Sequence, residues 1–79
     1  MKLSEAIRNR IKFYLKEKNM KMWDLCKTSG VPCSTLSTFM SGKSELIKLD
    51  TLLHVCEGFN ITLGEFFTHK TFDDAEQEK

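Results

Sequence analysis

The sequence predicts an all-α domain, a compact bundle of five helices, on three observations. Its 79 residues make one domain, near the lower size limit for a core that holds without metals or disulfides. Apolar residues recur at the spacing of amphipathic helices. Glycine, proline and asparagine fall between these segments, where they begin or end helices. A helical bundle is the simplest architecture for a domain of this length.

The first helix is predicted to follow Ser4, whose hydroxyl can cap it, and to run for roughly 14 residues. Its apolar positions are Ile7, Ile11, Tyr14 and Leu15, and its outward basic side chains are Arg8, Arg10, Lys12 and Lys16. The helix ends near Asn19, because asparagine tolerates the left-handed conformation that is common at helix ends.

The second helix is predicted over about residues 21–29, and Gly30 follows it. This helix buries Leu25, Cys26 and part of Trp23. Gly30 supplies a positive φ at little cost, and Pro32 sets the entry to a third helix. The pattern is that of two short helices joined by a tight turn.

The third helix, which Gly42 ends, presents a continuous outer face of small side chains. It buries Leu36 together with Phe39 or Met40, and its outward residues are Cys33, Ser34, Ser37, Thr38 and Ser41. Serine and threonine are mediocre helix formers. A solvent-exposed helix face without a binding role would more often carry Glu, Lys or Arg in a chain with this many charged residues. We therefore interpret this face as a working surface; the alternative is a merely solvated helix side.

A fourth helix is predicted over about residues 49–58, with Asn60 as the left-handed residue after it. Its apolar side consists of Leu49, Leu52, Leu53, Val55 and Cys56. Thr62 and Glu65 form a capping-box pattern that opens a fifth helix. Leu63, Phe66 and Phe67 of that helix close the core. The domain is thus predicted to span residues 1–69, followed by an acidic, disordered tail over residues 70–79.

Charge divides the chain into two unequal parts, although the net charge is only +1. Residues 1–48 hold ten Lys and Arg against four Asp and Glu, whereas residues 49–79 hold two against seven. A basic N-terminal portion suits a polyanionic partner. The chain has no Ser-His-Asp arrangement, paired carboxylates or glycine-rich phosphate loop, so neither an enzyme nor a cofactor is predicted.

The three cysteines are an odd number without a Cys-x-x-Cys pair, and they predict a reduced chain. Cys26 and Cys56 are expected as small core residues, and Cys33 as an exposed lone thiol whose oxidation could block a surface contact. No metal site is predicted, because His54 and Cys56 point away from each other on a helix and His69 stands alone. Without a signal peptide or membrane-spanning run, the expected location is cytoplasmic.

The run LCKTSGVPCSTLSTFMSGK, followed by LDTLLHVCEGFNITLGEFF, resembles the phage repressor/Cro-type, or Xre-like, helix-turn-helix family over about residues 7–67. The resemblance implies a lambda-repressor-like DNA-binding domain whose third helix enters the major groove of double-stranded DNA. It implies base-facing positions for Cys33, Ser34 and Thr38, with Thr35 and Ser37 beside them. It implies phosphate-facing positions for Met22, Ser41 and Lys43, with Lys21 near enough to help.

Two of these positions differ from the family pattern, which usually has a polar residue where this chain has Met22 and often Gln or Arg where it has Cys33. Neither side chain can make a bidentate hydrogen bond to a purine edge. The expected function is therefore sequence-specific or weakly specific DNA binding by a small transcriptional regulator, a repressor.

Contact with another protein chain is expected in addition to the helix-turn-helix motif. As a regulator the chain is expected to bind DNA as a homodimer, with self-contact candidates in Leu46, Ile47, Phe72 and the fourth and fifth helices. The alternative is a protein-interaction module of the same fold, antitoxin-like or binding another regulator, that has lost DNA readout. That module would use Met22, Leu46 and Ile47.

Overall fold

The computed structural model describes residues 2–73, which form six helices and no β-strand. The helices are α1 (Leu3–Glu17), α2 (Met22–Ser29), α3 (Cys33–Met40), α4 (Leu49–Phe59), α5 (Leu63–Phe67) and α6 (Lys70–Asp73). The all-α prediction is confirmed. The first five helices match the predicted ones in order and place, and α6 is an additional short helix at the end of the described chain.

The core lies where helices α1 to α5 meet, and α2 packs mainly against α4. Its fully buried large side chains include Ile11, Leu25, Leu36, Leu52, Val55, Phe59 and Phe66. Every helix from α1 to α5 contributes at least one of them. Each of these short helices is therefore held by tertiary packing rather than by its own propensity.

The predicted helix ends are confirmed at three left-handed residues and one capping box. Asn19, Gly30 and Asn60 have φ values of 53°, 75° and 61°. The Thr62 hydroxyl accepts from the Glu65 N–H at 3.0 Å, and the Glu65 carboxylate accepts from the Thr62 N–H at 3.1 Å. Local turn chemistry thus fixes where α1, α2 and α4 end and where α5 begins.

The prediction of an outward, basic α1 surface is wrong for its two arginines. Arg10 is buried, and Arg8 is half-buried, because each guanidinium reaches backbone carbonyls of another segment. Lys12 and Lys16 are exposed as predicted. Ser4 is not the cap of α1: it lies buried inside the helix, and Lys2 holds the cap position.

Two leucines predicted on the apolar side of α4 are exposed, and Trp23, predicted to be partly buried, is mostly exposed. Trp23 is 63% exposed, because it lies in the first turn of α2 with the Lys27 ammonium 4.2 Å from its ring centre. Leu49 and Leu53 are 71% and 41% exposed, since the buried side of α4 is formed by its other apolar residues, Leu52, Val55, Cys56 and Phe59. Exposed tryptophan and leucine leave apolar surface outside the core.

The helix α6 lies within the segment assigned by sequence to the acidic tail. Phe72 of α6 is half-buried, and its ring centre lies 4.9 Å from that of Phe67 and 6.1 Å from that of Phe66. The predicted disorder therefore does not extend to residues 70–73. The rest of the predicted tail, residues 74–79, lies outside the described residues, and the domain boundary stays a prediction.

Two helical glycines differ in the space available to a side chain, which gives a matched pair of variants. A Cβ at Gly58 of α4 would lie 3.0 Å from both the backbone N and the Cβ of Ser29 in α2, whereas a Cβ at Gly64 would meet only the Thr62 hydroxyl at 3.7 Å. Gly64→Ala is expected to stabilise the fold by up to about 1 kcal/mol. Gly58→Ala is not expected to stabilise the fold, because overpacking costs about 1–3 kcal/mol and offsets the gain in helix propensity. Urea denaturation measures both; equal stabilisation by the two variants would contradict close α2–α4 packing at Gly58.

Candidate nucleic-acid interface

The turn between α2 and α3 is fixed by backbone and side-chain contacts around Gly30. The Gly30 N–H donates to the Cys26 carbonyl at 3.1 Å, and the Val31 N–H donates to the Ser29 hydroxyl at 3.2 Å. Val31 is buried beneath the turn. From there α3 is anchored by Leu36, which is fully buried, and by Phe39. These anchors decide which side of α3 faces outward.

The outward face of α3 carries the hydroxyl residues predicted from sequence. Ser34, Thr35, Ser37, Thr38 and Ser41 are all exposed. The Thr38 hydroxyl donates to the Ser34 carbonyl at 2.7 Å, and the Ser41 hydroxyl donates to the Thr38 carbonyl at 3.1 Å. Because those protons are used inside the helix, the Thr38 and Ser41 oxygens offer free lone pairs, and the Thr38 methyl offers an apolar contact.

A groove of about 580 Å³ runs between α3 and the segment that leads into α4. Its α3 side includes Ser34, Thr35 and Thr38, and its other side includes Leu46 and Lys48. The groove therefore combines the hydroxyl face with an exposed ammonium at the start of α4. Lys48 is absent from the sequence-predicted site, although a lysine directly before a helix N-terminus is a recognisable signal for an anion.

Arg8 fixes the C-terminal end of α3. Its guanidinium donates from Nε to the Phe39 carbonyl at 2.7 Å and from a terminal nitrogen to the Ser44 carbonyl at 2.8 Å. Its central carbon also lies 4.8 Å from the centre of the Phe39 ring. A cation at a helix C-terminus is favourable, because the last carbonyls carry partial negative charge. Arg8 is thus a positioning residue that sequence reasoning placed on the outer surface.

The N-terminal end of α3 is joined to α2 by a disulfide between Cys26 and Cys33, whose Cα atoms lie 5.4 Å apart. The predictions of a reduced chain and of a lone thiol at Cys33 are wrong here, because the tight turn brings these two positions together. Cys33 is exposed at the first position of α3, and Cys26 is buried. Cys56 is free and fully buried; burial, with a smaller contribution from the Glu57 charge, raises the pKa of its thiol to about 11.

The predicted phosphate-facing residues lie at two separate places. Lys21 and Met22 lie at the start of α2, where the Asp24 carboxylate accepts from the Lys21 N–H at 3.0 Å. Met22 is half-buried and packs against the core. Ser41 and Lys43 are exposed after the last turn of α3, on either side of Gly42. The two sets are at opposite ends of the helix-turn-helix in the chain, with the hydroxyl face between them.

The helices α2 and α3 are each held by buried side chains and are joined at a left-handed glycine, and α3 exposes a polar face. This arrangement is that of a helix-turn-helix DNA-binding domain. The chain belongs to the Cro/C1-type HTH DNA-binding domain family, which it matches over residues 10–71. The resemblance noted in the sequence is thereby confirmed, and it supports DNA binding by a small regulator. No curated protein and no solved structure gives a significant match.

Between residues 2 and 73 no group of three or more His, Cys, Asp or Glu side chains could hold a metal ion. No helix in the same range is both long enough and apolar enough to cross a membrane.

Proposed function

We propose that this protein is a small transcriptional repressor that inserts α3 into the major groove of double-stranded DNA, in the cytoplasm. One observation carries the proposal: α3 exposes an unbroken hydroxyl face while Leu36, Phe39 and Arg8 hold the helix from behind and at its end. Short, uncharged side chains let the helix approach base edges closely. The family to which the chain belongs binds DNA through this motif.

Readout by this face is proposed to be weakly specific. Ser34, Thr35, Ser37 and Thr38 are all exposed, and Ser34 and Thr38, four residues apart, lie on the same side of the helix. Hydroxyl groups bond to several bases, and the Thr38 methyl can contact a thymine methyl. No side chain in this set forms the bidentate purine contact that is worth about 1–3 kcal/mol of discrimination. Cys33 would contribute only van der Waals contact while its sulfur is bonded to Cys26.

Affinity is proposed to come from phosphate contacts on both sides of α3. Lys43 and Lys48 are exposed after α3 and before α4, and Lys21 and Met22 begin α2. Ser41 adds a neutral hydroxyl. So few contacts favour two copies on adjacent half-sites, about one helical turn apart. Leu49 and Leu53, exposed one turn apart on α4, are proposed for the contact between copies.

Lys43 is expected to contribute one phosphate contact, which a salt titration can count. With a random-sequence duplex, the logarithm of the affinity should fall linearly with the logarithm of the salt concentration. Lys43→Gln should reduce that slope by about 1. Lys70→Gln, at an exposed position of α6 in the acidic part of the chain, is the matched control and should leave the slope unchanged. Absence of duplex binding at low salt by the unmodified protein would refute the proposed function.

The second candidate function is a protein-interaction module, and exposed apolar surface favours it. Leu46 is 83% exposed, close to the exposed Leu49 at the start of α4. Such surface suits a protein partner, another regulator or a toxin. This reading predicts that a Leu46→Glu variant loses a co-purifying protein, and that the unmodified chain does not bind duplex DNA at low salt. Duplex binding with the expected salt slope excludes it.

A further inference from the structure

The two ends of α3 are held by different chemistry. Arg8 hydrogen-bonds the C-terminal end, whereas at the N-terminal end Pro32 occupies the cap position and makes no side-chain hydrogen bond in the part of the chain that the structure describes. The first turn of α3 also lacks an acidic residue. A helix of eight residues is too short to be stable alone. The disulfide from Cys33 to Cys26 therefore holds the end of α3 that begins the hydroxyl face.

We propose that Cys26 and Cys33 form a reversible redox-modification site, oxidised by a small-molecule disulfide of the glutathione class, and that its disulfide raises DNA affinity by holding the first turn of α3. The expected effect on DNA affinity rests on the proposed function, whereas the redox site itself does not. The site pairs an exposed cysteine with a buried one, so a small thiol or disulfide is expected to react with Cys33 first.

Oxidation at this site proceeds by two exchanges. The Cys33 thiolate attacks one sulfur of oxidised glutathione, forming a mixed disulfide and releasing one glutathione thiolate. The Cys26 thiolate then attacks the Cys33 sulfur of that mixed disulfide and releases the second glutathione. Two cysteine thiols lose two electrons and two protons in total, and one glutathione disulfide gains them as two thiols. Reduction by glutathione is the reverse sequence.

Cys56 serves as an internal reference. It is fully buried on α4, and burial keeps its thiol protonated at neutral pH. Because the thiolate is the species that exchanges, Cys56 should take no part in the reaction. The reaction is thus confined to two of the three cysteines in the chain.

Oxidation is expected to raise affinity because a fixed α3 loses less conformational freedom on binding DNA. Ser34 and Thr35 follow Cys33 directly, so the first turn that the disulfide holds carries part of the proposed reading surface. Coupling between two such events typically changes affinity by a factor of about 5–150. The same factor must appear in reverse: bound DNA should favour the disulfide.

The first measurement follows the thiols without DNA. The full chain is equilibrated in buffers of graded glutathione ratio, quenched with acid, unfolded, alkylated and mapped by mass. The expected result is a reversible transition in which Cys26 and Cys33 gain or lose alkyl groups together while Cys56 is alkylated in every sample. Persistent alkylation of Cys26 and Cys33 in oxidised glutathione, or pairing of either one with Cys56, would overturn the redox site.

The second measurement is binding to a random-sequence duplex at low salt. The oxidised protein should bind at least about fivefold more tightly than the reduced protein. Cys26→Ala, at a buried position outside the proposed reading surface, should bind like the reduced protein in either buffer, and circular dichroism should show that it remains helical. Saturating DNA should also shift the value of [GSH]²/[GSSG] at half-oxidation by the measured affinity factor, an effect that a purely structural disulfide outside the binding equilibrium would not give.

The outcomes separate this inference from the proposed function. Equal affinity of oxidised and reduced protein, with the disulfide demonstrably formed, would overturn the link between oxidation and binding but support DNA binding itself. Failure of both forms to bind would overturn the proposed function and that link together. The redox site is judged in either case by the thiol measurement.

Discussion

Replacing Arg10 with methionine is expected to destabilise the fold by about 3 kcal/mol or more. Arg10 is 9% exposed, and its guanidinium donates to three backbone carbonyls at the end of α5: Phe66 at 2.7 Å, Glu65 at 2.8 Å and Thr68 at 3.2 Å. It also donates to the Tyr14 hydroxyl at 3.0 Å. Methionine matches much of the volume but leaves these acceptors without their donor.

The size of the effect follows from the asymmetry between making and losing a buried hydrogen bond. A bond to a charged group contributes about 1.5–3 kcal/mol, and a buried acceptor left unpaired costs about 1–3 kcal/mol. The carbonyls involved belong to the C-terminal end of α5, where a cation is also favoured by the helix dipole. Arg10 is therefore the main polar connection between α1 and the α5 end of the core.

Urea denaturation followed by circular dichroism measures the change. In a domain of this size 3 kcal/mol corresponds to roughly 12–24 °C in Tm. Arg10→Lys should be intermediate, because an ammonium cannot reproduce the forked geometry. Lys12→Met, at an exposed position of the same helix, is the control and should change stability by less than about 0.5 kcal/mol. A loss below about 1 kcal/mol for Arg10→Met would show that water replaces the guanidinium.

The features predicted correctly from sequence are those that local chemistry decides. Gly30 and Asn60 adopt the left-handed conformations expected after helices, and Thr62 with Glu65 forms the expected capping box. Helix periodicity also identified Leu25 and Leu36 as core residues. Each of these depends on neighbours within four residues, so the sequence contains the necessary information.

The features that the sequence did not predict depend on contacts between distant segments. Arg10 was placed outward by helical spacing, but its partners are carbonyls more than fifty residues away. The Cys26–Cys33 pair was missed because its seven-residue separation brings the sulfurs together only when the helices cross at the turn. Trp23 was expected to be partly buried, yet it is 63% exposed, with the Lys27 ammonium 4.2 Å from its ring centre. Residue type gives no sign of such crossings.

The α3 surface is a similar mixture of predicted and unpredicted parts. The spacing of serine and threonine identified the exposed side of α3, whose residues the structure exposes as expected. The supports of that surface were missed: Arg8 at one end and the disulfide at the other. Lys48 was also missed, because its groove forms only when the segment before α4 lies against α3. The exposed side of α3 was therefore easier to predict from the sequence than the contacts that hold α3 in place.

Replacing Thr38 with glutamate is expected to weaken DNA binding at least tenfold, whereas replacing it with glutamine should change affinity by no more than a few fold. Thr38 is exposed, and its hydroxyl bonds only within α3 in the described chain, so both variants should fold. The two replacements have nearly the same shape and differ in charge. A carboxylate at this position would lie among phosphates if α3 occupies the major groove. At a separation of about 4 Å, like charges repel by about 1 kcal/mol in water and about 4 kcal/mol near a protein surface.

The comparison between the two variants separates charge from size. Binding to a random-sequence duplex at low salt gives the affinities, and the loss in the glutamate variant should shrink as salt screens the repulsion. Ser44→Glu, at a half-buried position beyond the end of α3, tests whether any added carboxylate near this helix has the same effect; its loss should be smaller. Equal binding by the glutamate and glutamine variants would mean that Thr38 does not face DNA. Because the fold holds α3 by Leu36 and Phe39, that result would refute the major-groove placement of its outer face rather than the fold.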